Sequence, residues 1–258
     1  MNYKFSMKFI LALFIFAQIT SFLFLLTGFL YEYNVSNIIS TGIIVFLLFN
    51  LLFSNTAPSR IIYNPQTLLL VSLISWCIAE ALYGIYEGIL KIDPYPSIAD
   101  FFYLSGSIFF LLFFISKNRS YKIELAIIAS SIITFSLIVF YVIYVAIFIF
   151  DIYDYSGNIF DFVLLFAYPI IDLLIMIGAI TYYFRGKSIS LNKDYIYWIF
   201  VSAFAFFSLI ADISYGYNNL FGISSNEMLS DMYYNIGYML LGVAIVIKIH
   251  YINTSKNN

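Results

Sequence analysis

The chain has 258 residues, of which 63% are apolar and 10% are charged, and its mean hydropathy is +0.95. This composition excludes an ordinary soluble domain, in which about a quarter of the residues are charged. The net charge of −2 gives no support to a nucleic-acid partner, and a single cysteine and a single histidine exclude an internal disulfide and a cysteine- or histidine-rich metal cluster.

Eight apolar stretches reach or approach the roughly 20 residues that a membrane-spanning helix needs. In chain order they cover 9–30, 37–54, 67–90, 97–116, 123–150, 159–184, 195–217 and 227–250. Turn-forming residues separate them, among others Asn64-Pro65, Asp93-Pro94-Tyr95-Pro96, Arg185-Gly186-Lys187 and Asn218-Asn219. The sequence therefore predicts an all-α polytopic membrane protein with eight transmembrane helices, a single integral membrane domain over 1–258 that contacts the lipid bilayer.

The basic residues predict the orientation of these helices. If the N-terminus lies in the cytoplasm, eleven of the twelve Lys and Arg residues fall on the cytoplasmic side, and Lys91 is the exception. We expect a cell-membrane protein with both termini in the cytoplasm, and we expect the first helix to be retained because no small-residue cleavage site follows it. Most acidic residues fall in the outer half or the outer loops.

A repeated motif divides the chain further. Ile78-Ala79-Glu80 with Tyr83-Gly84 returns as Ile210-Ala211-Asp212 with Tyr215-Gly216. About twenty residues after each copy follow an acid, a tyrosine three places later and a glycine six places later: Asp100, Tyr103, Gly106 and Asp231, Tyr234, Gly237. A weaker copy contains Tyr141, Tyr144 and Asp161. The pattern predicts an N-terminal hairpin (1–64) followed by three parallel two-helix repeats (65–120, 121–190 and 191–250).

Acidic residues within apolar helices are costly and mark a candidate site. Glu80, Tyr83 and Glu87 stand at i, i+3 and i+7 and share one helix face. We expect these stripes to converge on one outward cavity, whose candidate ligand- or cation-binding residues are Glu80, Tyr83, Glu87, Asp100, Asp172, Asp212, Tyr215 and Asp231. Carboxylate and phenol oxygens suit a hard cation such as Ca²⁺, or a proton relay; no other cofactor is expected.

The same residues can also be explained by structural roles that involve no ligand. Ser97 and Asp100 have the spacing of a helix-capping box, in which the acid binds backbone rather than ligand. An acid beside a tyrosine, as at Glu80 or Asp212, also forms interhelical hydrogen bonds. Asp172 follows Pro169, so a proline kink alone accounts for its position as well as a site does.

The segment Tyr95-Pro96-Ser97-Ile98-Ala99-Asp100-Phe101-Phe102-Tyr103-Leu104 resembles multi-spanning modules that precede diguanylate cyclase, phosphodiesterase or histidine kinase domains in microbial signalling proteins. Ala167-Tyr168-Pro169-Ile170-Ile171-Asp172 and Asp231-Met232-Tyr233-Tyr234 are similar to that pattern. The resemblance implies a membrane sensor. Only about eight polar residues follow the last helix, so we expect such a sensor to act through a separate membrane or cytoplasmic signalling protein.

The sequence favours a non-enzymatic membrane protein with an outward acidic and tyrosine-lined pocket, either sensor-like or an accessory binding subunit. The alternative is a small cation- or proton-coupled transporter that uses Glu80, Asp172 and Asp212 along a path. An intramembrane enzyme is the third hypothesis. A binding module predicts a closed inner half, whereas a transporter predicts a continuous polar route.

Overall fold

A computed structural model describes residues 3–55, 64–118, 125–150, 159–188, 194–221 and 227–255. Over these ranges the chain is helical and contains no strand, which confirms the predicted all-α fold. The eight helices are α1 (Tyr3–Thr27), α2 (Leu30–Asn55), α3 (Pro65–Gly84), α4 (Ile98–Asn118), α5 (Leu125–Phe150), α6 (Ile159–Ser188), α7 (Asp194–Phe221) and α8 (Glu227–Ser255).

The ends of α3 show how local sequence sets helix boundaries. Asn64 caps its N-terminus, because the side-chain oxygen accepts a 3.0 Å hydrogen bond from the Gln66 backbone N–H, and Pro65 occupies the first helical position. At the other end α3 continues into a π-helical segment, Ile85–Leu90. Lys91 ends that segment in a left-handed conformation, with φ of 55°.

Three predicted boundaries are wrong. The second helix begins at Leu30 rather than at residue 37, because its polar residues face neighbouring helices instead of forming a loop. The sixth helix runs through Arg185-Gly186-Lys187 to Ser188, and the seventh runs through Asn218-Asn219 to Phe221. In each case turn-forming residues remain helical, since local propensity is a weak guide inside a packed bundle.

Six helices are long and apolar enough to cross a bilayer within the described side chains. Their apolar segments are Tyr33–Phe53, Pro65–Leu90, Ile98–Lys117, Val163–Phe184, Tyr195–Asn218 and Met228–Tyr251. The corresponding segments of α1 and α5, Ala12–Thr27 and Ser131–Tyr144, are shorter. The protein is therefore a multi-pass membrane protein, while the count of eight spans stays a prediction.

The bundle is a ring of six helices with two helices outside it. The ring runs α2–α3–α4–α6–α7–α8 and closes because α4 packs directly against α6 and α8 packs against α2. Helix α1 packs against both α2 and α8, and α5 packs mainly against α6. Helices α2, α4, α6 and α8 begin at one end of the ring, which we call the cavity end. We call the opposite end the plugged end.

Small and polar side chains attach α1 to the ring. The Ser21 hydroxyl donates to Asn37 Oδ1 at 2.9 Å and accepts from Asn235 Nδ2 at 2.7 Å, so one hydroxyl joins α1, α2 and α8. Phe14 is fully buried and lies directly on Gly242 of α8. Close approach at glycine and interhelical hydrogen bonds are the usual means of helix association in lipid, where no hydrophobic driving force brings helices together.

Aromatic rings fill the plugged half of the ring. We call this set the aromatic plug; its residues, all buried, are Phe110, Phe113, Phe114, Tyr182, Tyr197, Trp198 and Phe204. Tyr182 stacks on Trp198 at 4.7 Å, and Phe110 stacks on Phe114 at 5.4 Å. The Lys117 ammonium lies 4.3 Å above the Trp198 ring. The plug therefore occupies the interior between α4, α6 and α7.

Candidate functional site

A cavity of about 130 Å³ lies inside the ring toward its cavity end. All six ring helices line it, together with Tyr95 of the segment between α3 and α4. Its acidic residues are Glu80, Asp100, Asp172, Asp212 and Asp231, and its tyrosines are Tyr33, Tyr83, Tyr95, Tyr103, Tyr168, Tyr215, Tyr234 and Tyr238. Among the described residues that line the cavity there is no Lys, Arg or His. The site is thus acidic, aromatic and enclosed by helices.

Glu80 lies on the α3 wall and binds tyrosines from two other helices. Tyr238 of α8 donates its hydroxyl hydrogen to Glu80 Oε1 at 2.5 Å. Tyr103 of α4 hydrogen bonds to the same carboxyl group. Because α3 and α8 are separated by α2 in the ring, the bond from Tyr238 crosses the interior. Glu80 is therefore a junction between three helices at the edge of the cavity.

Asp212 forms a second junction on the α7 wall. The Tyr234 hydroxyl of α8 donates to Asp212 Oδ1, and the Asp212 carboxyl also hydrogen bonds to Asp172 of α6. Asp172 is only 8% exposed and follows Pro169, which frees a backbone carbonyl in the preceding turn. The two carboxyl groups therefore lie next to each other inside the ring.

Asp100 caps the start of α4, which is the structural role that the spacing of Ser97 and Asp100 predicted as an alternative to ligand binding. Its Oδ2 accepts a 2.7 Å hydrogen bond from the Ser97 backbone N–H, and the Ser97 hydroxyl oxygen accepts from the Ala99 N–H at 3.1 Å. This reciprocal arrangement is a capping box at the start of α4. The other oxygen, Oδ1, accepts from the Tyr168 hydroxyl of α6 at 2.7 Å. Asp100 thus fixes the α4–α6 contact that closes the ring.

Three further predicted residues lie near the mouth of the cavity. Asp231 stands in the second turn of α8, and its backbone carbonyl accepts from the Tyr33 hydroxyl at 3.2 Å. Tyr83 and Tyr215 line the cavity from α3 and α7. Tyr95 reaches across and meets the Tyr215 ring edge-on, with 5.4 Å between centroids. The α3–α4 connection therefore lies over part of the mouth.

Glu87 is the one predicted site residue that does not line the cavity. The helix changes to π geometry at Ile85, so the expected i, i+7 stripe with Glu80 does not continue. Glu87 instead accepts a 2.5 Å hydrogen bond from Asn34 Nδ2 of α2. Glu87 therefore contacts a residue of the cavity lining without lining the cavity itself.

The two stronger copies of the repeated motif make matching contacts. Glu80 bonds to Tyr103 of the following helix as Asp212 bonds to Tyr234. A Cβ at Gly106 would meet residues 72 and 76 of α3, and one at Gly237 would meet residues 204 and 208 of α7, which are the corresponding positions relative to each acid. In the weaker copy the buried Tyr141 hydroxyl has no hydrogen-bond partner among the described residues, and the Asp161 side chain lies outside them.

Several cavity residues were not predicted from sequence. Tyr238 lies one turn after Tyr234, a spacing that places both on one face of α8. Asn34 and Asn37 were placed in or beside a loop, although amides within an apolar helix are a signal of a buried polar face. Ser208 lies one turn before Asp212 and faces the same space.

Within the described part of the chain, no three His, Cys, Asp or Glu side chains lie close enough together to hold a metal ion. The expected Ca²⁺ site stays a prediction. The arrangement favours a positively charged group over an anion, because the described lining contains several carboxyl groups and no basic side chain. No protein-family model, curated protein or solved structure matches the chain.

Proposed function

We propose that this protein is a non-enzymatic, multi-pass membrane binding protein whose pocket faces the outside of the cell. One observation carries the proposal: the acidic cavity occupies one end of the six-helix ring, while the aromatic plug fills the interior toward the other end. A pocket that is closed on one side can hold a ligand without passing it through the membrane.

The distribution of basic residues supports the outward orientation. Lys117 and Lys248 lie at the plugged end, where they contact Trp198 and Tyr197. Basic residues concentrate on the cytoplasmic side of membrane proteins, so the plugged end belongs to the cytoplasm. Both termini are then cytoplasmic, and the cavity opens outward in a cell membrane.

The contacts around Glu80 support a sensor-like or accessory role. The carboxyl group binds Tyr238 across the ring and Tyr103 beside it, so a ligand that competes for Glu80 acts on α3, α4 and α8 together. Helix α8 extends from the cavity to Ser255 and carries such a change toward the opposite membrane face. A partner membrane or cytoplasmic signalling protein would receive it there.

The matching contacts around Glu80 and Asp212 support the repeat interpretation as part of this proposal. The α3–α4 and α7–α8 hairpins each bring an acid and a tyrosine to the cavity through equivalent positions. Binding sites at the interface between internal repeats are common in membrane proteins. The α5–α6 hairpin is the middle one of the three repeats and the degenerate one, and it supplies Asp172.

The alternative function is a small proton- or cation-coupled transporter. The neighbouring buried carboxyl groups of Asp172 and Asp212 favour it, because acidic residues within the membrane are a feature of proton relays. The aromatic plug argues against it, since the interior beyond Phe204 is filled by rings rather than by a polar route.

Ion flux in sealed proteoliposomes separates the two functions. With reporters for protons and for calcium inside the vesicles, the purified wild-type protein should give no flux above that of empty vesicles, because the aromatic plug blocks the path. Asp172→Asn should behave identically. Wild-type flux that disappears in Asp172→Asn would establish the transporter and contradict the binding function.

A further inference from the structure

We infer that the cavity binds a small organic cation, with an ammonium group held by its carboxylates and its carbon atoms packed against the aromatic walls. The inference rests on the proposed binding function and names the class of ligand. It follows from four properties of the cavity: the charge of the lining, the separation of its acids, the nature of its walls and its size.

The lining of the cavity is acidic. Five acidic residues face the cavity, and no described lining residue is basic. A phosphate or carboxylate ligand would be repelled, because its recognition requires Arg, Lys or converging N–H donors beside the acids. A neutral ligand gains nothing from the acidic groups, whereas a cation is attracted to them in a setting where solvent screens the attraction little.

The acids are distributed around the ring rather than gathered at one point. Glu80 lies on α3, the Asp172–Asp212 pair lies between α6 and α7, and tyrosine hydroxyls already occupy one oxygen of Glu80 and one of Asp212. A Ca²⁺ ion needs six to eight oxygens at one point, and no three acids in the described part of the chain converge in that way. An ammonium group needs only one or two carboxylates, so this spacing suits it.

The surfaces between the acids are aromatic. Trp76 packs at 5.6 Å against Phe204 of the aromatic plug, and both rings line the cavity, while Tyr83 and Tyr215 line it near the mouth. Ammonium groups are attracted to the faces of aromatic rings, most strongly to tryptophan, and the attraction grows when the site excludes water. A hydrated inorganic ion gains little from such walls, whereas a methylated or alkyl ammonium ion gains on every side.

The volume limits the ligand to a small molecule. At about 30 Å³ for each water in the liquid, a cavity of about 130 Å³ holds around four waters. A cavity of about 150 Å³ takes up benzene, so a ligand of about six or seven non-hydrogen atoms fills this space.

Equilibrium binding to the purified protein in nanodiscs tests the inference with choline as the probe. Its uncharged analogue dimethylbutanol, in which carbon replaces the charged nitrogen, has nearly the same shape. Choline should bind saturably, and dimethylbutanol should bind at least about tenfold more weakly, since the shape is conserved and the charge is lost. Wild-type protein alone suffices for this comparison, so a folding defect in a variant cannot decide it.

Variants then assign the binding to the cavity. Glu80→Gln and Asp212→Asn should each weaken choline binding by about tenfold or more, while Glu87→Gln, which removes the same charge outside the lining, should change it little. Tyr215→Leu should weaken binding, whereas Tyr217→Leu, at an exposed position two residues along α7, should not.

The possible results of these measurements distinguish a wrong ligand class from a wrong binding function. Equal affinity for choline and dimethylbutanol, or no choline binding at about 10 mM, where a site with a Kd of about 1 mM is nearly saturated, overturns the organic-cation inference. If calcium chloride binds instead, and Glu80→Gln abolishes that binding, the pocket stands and only its ligand class is wrong. If choline binds with the same affinity in all variants, the cavity is not its site and the inference fails.

Discussion

Replacement of Gly106 by alanine is expected to lower the free energy of unfolding by about 3 kcal/mol, the upper part of the range for overpacking a buried site. A Cβ at this position would lie 2.5 Å from Trp76 Cδ1 and 2.9 Å from the Ser72 backbone oxygen. Trp76 cannot easily move away, because its Nε1–H donates to the Tyr103 carbonyl at 3.0 Å and its ring packs on Phe204. The substitution would force α3 and α4 apart beside the cavity.

Gly42→Ala is the matched control for this prediction. No atom lies within 4 Å of a Cβ at Gly42, which is inside α2. Alanine there should leave stability unchanged or raise it by up to about 1 kcal/mol through helix propensity. Both variants can be measured by reversible unfolding in mixed detergent micelles. Equal stabilities for Gly106→Ala and Gly42→Ala would show that α3 and α4 do not meet as closely as described.

Tyr238→Phe should cost about 2 kcal/mol of folding free energy, because it removes a hydroxyl that donates to a carboxyl group inside the ring. The loss should be larger than that for Tyr195→Phe, a control at an exposed position near the start of α7. Tyr238 is 8% exposed, so water does not readily replace its hydroxyl as the donor to Glu80.

A double-mutant cycle attributes the effect to the contact with Glu80. Glu80→Leu and Tyr238→Phe should be coupled by at least about 1 kcal/mol when combined, because each removes the same hydrogen bond. The same unfolding measurement provides all four values. Additive effects would mean that the two side chains act independently, and the bond across the ring would then have no role in holding α3 to α8.

Sequence periodicity and length were sufficient to predict the helices, since long apolar stretches have few alternatives to helix in a membrane. The beginning of α2 was not predictable in this way. Asn34 and Asn37 resemble loop residues locally, but α1, α3 and α8 provide partners for the polar face that they form. Only the neighbouring helices show that this polar segment is buried.

The acidic residues of the candidate site could be predicted from the sequence, whereas their contacts with one another and with the tyrosines could be predicted only in part. Acids in apolar helices identified Glu80, Asp172 and Asp212 because buried carboxylates are costly. Their partners were harder to identify, since Tyr238 and Glu80 lie 158 residues apart and belong to helices that are not adjacent in the ring. The position of Glu87 depended on the π-helical segment, which no residue pattern in this sequence marks.

Cysteine labelling from the two membrane faces tests whether the acidic cavity opens outward and is closed toward the cytoplasm. The chain has one native cysteine, so Cys77→Ala gives a background without thiols. Ser208→Cys then places a thiol on the cavity lining, and Val201→Cys places one at a fully buried position two turns along α7. The reagents are a cationic and an anionic methanethiosulfonate, neither of which crosses the membrane.

Ser208→Cys is expected to react only from the outside. The cationic reagent should react at least about tenfold faster than the anionic one after correction for their rates with a free thiol, because the acidic lining attracts cations. Val201→Cys should remain unlabelled from both faces. Labelling of Ser208→Cys from the cytoplasmic face, or equal corrected rates for the two reagents, would contradict an acidic cavity that opens outward.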